Sequence, residues 1–130
     1  GTGNFTEQSA ARGLNLANPN RVHGEASGDI DGDGDYDLLL TLTDTALNQG
    51  LLVAKNTAGN FTTTLVPCVL SDLSGFTQTL SAGDIDDDGD LDVVESSLTV
   101  LVNNGTGIFT NQSAARINKA GYTGTLGGSE

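Results

Sequence analysis

The stretch GDIDGDGDYDLLL, residues 28–40, returns as GDIDDDGDLDVVE, residues 83–95, and the rest of the chain is read outward from these near copies. Both fit DxDxDGxxD. Loop positions one, three, five and nine hold Asp29, Asp31, Asp33 and Asp37 in the first copy, and Asp84, Asp86, Asp88 and Asp92 in the second. A hard cation such as calcium takes about six to eight oxygen ligands, so a short loop must turn several carboxylates toward one point while a glycine permits the bend. Gly34 and Gly89 stand at that bend, position six. Position seven, Asp35 and Asp90, is expected to lend its backbone carbonyl, position nine a carboxylate, and water the remaining ligands. Two carboxylates about 5 Å apart repel by roughly 3 kcal/mol at an effective dielectric near 20, so the loops are expected to open without a cation. One Asp-Gly turn is commonly a solvated turn. Two in the same phase point to calcium at two sites.

Composition agrees with this placement of charge. The formal net charge is -12 over 130 residues, and 11 of the 17 acidic residues lie in the two loops, leaving six acids against five bases elsewhere. No basic patch exists to attract nucleic acid or an anionic membrane surface. No apolar run is long enough to span a bilayer as a helix. Abundant Gly, Ser, Thr and Asn indicate a loop-rich β protein, and the length suits one domain. The chain starts at Gly1, which suggests a processed product or an excerpt of something longer.

Self-similarity extends beyond the loops. LLVAKNTAGNF, residues 51–61, matches TVLVNNGTGIF, residues 99–109, without a gap; GTGNFTEQSAAR, residues 1–12, recurs at 105–116; GYTGTLGGSE, residues 121–130, aligns with 75–84. The repeat is therefore about fifty residues long, in the range of propeller blades and solenoid units. Within a unit, a strand ending in small residues enters the Asp loop and an apolar strand leaves it. A third apolar strand and a fourth built around Phe61 or Phe109 follow. These patterns predict an all-β chain of four-stranded antiparallel blades. Residues 21–66 form one blade around loop 29–37, and residues 67–112 a second around loop 84–92. Residues 1–20 are expected to end a preceding blade, with a fourth strand near residues 4–10, and residues 113–130 to begin another. Neighbouring blades or a second copy are the expected partners, because such ends leave strand edges unpaired.

The loop followed by LLVxxNxxGxF resembles FG-GAP/VCBS repeats, the calcium-binding blades of integrin α-subunit heads and many bacterial surface proteins. The resemblance implies β-propeller blades, calcium at the matched loop positions and an extracellular or cell-surface setting, with adhesion as the function. It also leaves open a non-catalytic segment of a secreted carbohydrate-active enzyme, or a lectin-like module with a protein or glycan ligand. An EF-hand or dockerin shares DxDxDG but needs an acidic residue at position twelve and a helix after it. Here position twelve is Leu40 or Glu95, in sequence rich in Val, Leu and Thr.

The remaining chemistry-bearing residues are few. Cys68, the single cysteine, reads as a small buried hydrophobe. His23, the single histidine, sits in a predicted strand beside Glu25 and reads as a surface or strand-end residue. No nucleophile, base and orienting group can be assembled from this inventory, so no enzyme is expected. Asn4, Asn60, Asn104 and Asn111 each open an N-x-S/T sequon that could carry sugar in a glycosylating host.

Overall fold

Both Asp loops lie between the first and second strands of a four-stranded antiparallel sheet, and the two sheets follow one another in the chain. The computed structural model describes residues 3–14, 21–43, 49–67, 79–96 and 98–117. The first sheet runs β1 (Arg21–Gly28), β2 (Asp37–Thr43), β3 (Gln49–Thr57) and β4 (Asn60–Pro67), each strand bonded to the next. The second runs β5 (Leu80–Gly83), β6 (Asp92–Glu95), β7 (Thr99–Asn103) and β8 (Phe109–Asn111) in the same order. A 3₁₀ turn (Ala10–Arg12) and the one-turn helix α1 (Ser113–Arg116) are the only helices among the described residues. The described residues are thus nearly all β, as the patterns predict, with an open sheet for each repeat.

Sequence sets the depth of each strand. The middle strands β2 and β3 read DLLLTLT and QGLLVAKNT and are buried along most of their length, as strands covered on both faces must be. Outer strand β4, NFTTTLVP, exposes its threonines at a sheet edge and ends at Pro67, which lacks the donor a further partner would need. Ile30, Leu39, Leu51, Val53, Val93, Leu101 and Phe109 form one core drawn from both sheets. Each such side chain contributes roughly 1.5–3 kcal/mol by leaving water. The first strands β1 and β5 approach each other, so the two units meet along the strands that carry the small residues. β6 is a strand, which removes the EF-hand alternative: Glu95 ends it, buried, with Ser96 Oγ donating to its Oε1 at 2.8 Å.

Two expectations are corrected. The ungapped match of residues 51–61 with 99–109 is out of register, because Leu38 pairs Ala54 whereas its counterpart Val93 pairs Leu101. Ala54 therefore corresponds to Leu101 and Asn56 to Asn103. The repeats come back into phase at Phe61 and Phe109, which face Asn56 and Asn103 across their hairpins, so the second hairpin holds one extra residue. The fourth strand expected near residues 4–10 does not form: residues 4–8 are irregular and Phe5 is 98% exposed. Its repeat counterpart Phe109 is buried because β8 pairs with β7, and among the described residues no strand pairs with residues 4–8. Cys68, residues 44–48 of the longer first hairpin, and the third-blade start at 118–130 lie outside the described residues.

Candidate metal centres

Each loop is organised by its first aspartate. Asp29 Oδ1 accepts the Gly32 N–H at 2.9 Å and Oδ2 the Gly34 N–H at 3.1 Å. Asp84 does the same work in the second loop, with Oδ1 accepting from Asp87 and Asp88 and Oδ2 from Gly89 at 3.0 Å. At position five, Asp33 Oδ1 accepts from Asp35 N–H and Asp88 Oδ1 from Asp90 N–H, at 2.9 and 3.0 Å. Gly34 and Gly89 take φ of 91° and 94°, where a side chain would be strained. The two loops thus fold by one network written twice.

Position nine is tied to the sheet instead. Asp37 and Asp92 are 0% exposed. Asp37 accepts from Ile30 N–H at 2.8 Å and Asn56 N–H at 2.7 Å; Asp92 accepts from Ile85 N–H and Asn103 N–H, both at 2.9 Å. Each carboxylate oxygen keeps a further lone pair. Position seven turns its carboxylate to the hairpin beyond β3 or β7: Asp35 Oδ2 accepts from Ala58 N–H at 2.7 Å, and Asp90 lies so close to Gly105 that a Cβ there would sit 2.5 Å from Oδ2. Both carboxylates thus lie against that hairpin, and neither is among the clustered ligand oxygens.

The structure gathers Asp29, Asp31 and Asp37 in the first loop and Asp84, Asp86 and Asp88 in the second, with ligand oxygens within 4.8 Å of one another. Ligands about 2.4 Å from a calcium ion stand at most about 4.8 Å apart, so both groups suit one ion. Asp33, Asp35, Asp90 and Asp92 fall outside these groups. Position three gives the sharpest signal: Asp31 Oδ1 and Asp86 Oδ1 are buried and have no hydrogen-bond partner. Their other oxygens face a base, Lys55 Nζ at 3.5 Å from Asp31 Oδ2 and Arg116 Nη2 at 2.7 Å from Asp86 Oδ2. The Asp86 carboxyl is held above the ordinary aspartate range, first by loss of water around it and then by Asp88 and Asp92, with Arg116 opposing.

A scan against family models matches an FG-GAP-like repeat over residues 29–95, just over half of the chain, and this span takes in both loops. The chain belongs to the FG-GAP-like repeat family. Searches of curated proteins and of solved structures returned no match. As a chain of FG-GAP-like repeats it carries a structural module of propeller type, with aspartate clusters able to hold a metal ion in each unit. No helix among the described residues is long and apolar enough to cross a membrane.

Sequence reasoning missed two sets of residues in this FG-GAP-like chain. Asn56 and Asn103 lock the loop exit to the third strand, donating from Nδ2 to the carbonyls of Tyr36 and Leu91 at 3.1 and 3.2 Å. Their signal, an Asn closing the third strand of each repeat, is hidden by the one-residue offset between the hairpins. Lys55 and Arg116 reach position three from elsewhere in the chain, and no spacing rule announces them. His23 accepts or donates at Thr43 Oγ1, 3.1 Å away, beside an open cleft of about 300 Å³ bordered by Glu25 and Leu80.

Proposed function

We propose that the chain is an extracellular, calcium-binding structural module of adhesion type, non-catalytic, in which one ion at each Asp loop staples the first two strands of a blade. The observation that carries this reading is the buried, unpartnered oxygen at position three of both loops. A buried carboxylate oxygen without a donor costs free energy, and a cation is the partner that its two acidic neighbours also need. Calcium fits better than magnesium, because the donors are several carboxylates on a bent loop and magnesium demands an octahedral shell with most of its water kept. Loops of this type bind in the range of about 0.1–1 mM in extracellular modules, where calcium is abundant enough to fill them. The family likeness and the acidity concentrated in the loops support the same setting.

Calorimetric titration tests the assignment. Wild-type chain takes up two calcium ions, Asp31→Ala and Asp86→Ala each take up one, and the double variant takes up none. A double variant that binds calcium as the wild type does defeats the proposal.

A further inference from the structure

The junction between the two repeats is built from pairs whose counterparts elsewhere stand unmated among the described residues. In the first loop, Ile30 is 2% exposed, and Asn103 Nδ2 of the second repeat donates to its carbonyl at 2.8 Å. Next to it, Leu91 of the second repeat lies over Gly28, so close that a Cβ on that glycine would stand 2.6 Å from Leu91 Cδ1. The first repeat thus offers an isoleucine and a bare glycine, and the second answers with an asparagine and a large apolar side chain.

The same four positions recur at the far faces. On the second repeat, Ile85 corresponds to Ile30 and is 39% exposed, and Gly83 corresponds to Gly28 and has nothing within 4 Å of where its Cβ would be. On the first repeat, Tyr36 corresponds to Leu91 and is 73% exposed. Asn56 corresponds to Asn103 and holds Tyr36 O as Asn103 holds Leu91 O, which leaves its second amide hydrogen in the place that Asn103 uses to reach Ile30. The two faces therefore carry the two halves of the junction already formed inside the chain.

Charge is matched as well. Lys55 crosses the internal junction, donating to Thr106 O at 3.2 Å and lying against Gly107. Its counterpart in the second repeat is Val102, which brings no cation. Arg12 supplies one on the receiving side: its Nη1 donates to Gly59 O at 2.7 Å, and its guanidinium covers Gly59 as Lys55 covers Gly107. An incoming acidic loop of residues 84–92 would meet that guanidinium.

We propose that a second copy of this chain docks head to tail, its Ile85 and Gly83 seating on Asn56 and Tyr36 of the first, so that the internal junction is repeated between molecules. Such a contact is heterologous, and it closes into a ring or extends as a filament according to its rotation. It uses no step from the calcium reading; chelation could weaken it only by loosening the loop that presents Ile85.

Sedimentation velocity on the wild-type chain and two variants, with calcium and with chelator, tests it. The wild type is expected to show a mass that rises with concentration. Ile85→Asp alters the docking face and Tyr36→Asp the receiving face, and each is expected to weaken association at least about tenfold while keeping the wild-type circular dichroism spectrum, in chelator as well as in calcium because both positions lie within the Asp loops. Mixed, the two variants retain one intact face each and should form a heterodimer that does not grow. A wild type that stays monomeric at every concentration overturns the proposal and assigns the face to a further blade of the same chain. Association unchanged in Ile85→Asp, or a mixture that stays monomeric, overturns it too. Failure of the calcium reading appears separately, as absence of calcium binding with association intact.

Discussion

Asp37→Ala removes a carboxylate that is 0% exposed and accepts two backbone N–H groups, from Ile30 at 2.8 Å and Asn56 at 2.7 Å. Alanine strands both donors in the interior. At about 1–3 kcal/mol for each unsatisfied buried group, the loss is about 2–6 kcal/mol, a large share of the roughly 5–15 kcal/mol that holds a typical domain together. Asp37→Asn keeps one acceptor oxygen and sets an NH₂ against the other N–H, so it should lose about half as much. Urea denaturation followed by circular dichroism in excess chelator isolates this term, because no cation then contributes. The expected order of midpoints is wild type, then Asn, then Ala, and Asp92 should repeat the order in the second sheet. An Asp37→Ala midpoint equal to wild type in chelator would refute the argument that position nine organises the sheet independently of any ion.

Two further outcomes follow from the loops. Asp87 holds a left-handed φ of 65° where the first loop has Gly32 at 74°, so Asp87→Gly should stabilise the chain by roughly 0.5–1 kcal/mol in chelator, read as a shifted urea midpoint. Alanine at that position, which lacks the short polar side chain that lets an aspartate take this φ, should be destabilising. The raised Asp86 carboxyl means that the folded, cation-free chain binds this proton more tightly than the unfolded chain does. Its contribution to stability is therefore present at low pH and lost as pH rises through that raised value, above the ordinary aspartate value of 3.8. Calcium competes with the same proton, so titrations at about pH 7.5 and about pH 5 should show the second site weakening in acid.

The strands and the loops were legible because their rules are local. Small residues before DxDxDG and an apolar run after it place β1, β2, β5 and β6 beside the loops, and a glycine at position six needs only its own φ. Relations between distant segments were not legible. Asn103 reaches Ile30 across 73 residues and Arg116 reaches Asp86 across 30, and neither contact leaves a periodic trace. The register of the third strand failed for a related reason: matching Phe61 to Phe109 without a gap ignores the extra residue in the second hairpin, which only the pairing with β2 and β6 exposes. Residues 4–10 copy a sequence that becomes β8 elsewhere, yet strand formation depends on a partner edge, which is a property of the surroundings.

Thermal unfolding in millimolar calcium against excess chelator tests the central claim most directly. With sites of about 0.1 mM affinity, calcium at about 2 mM stabilises each by roughly 1.8 kcal/mol, and two sites together should raise Tm by about ten degrees or more in a chain of this size. Equal melting temperatures in calcium and in chelator would contradict the account that the two Asp loops are calcium staples.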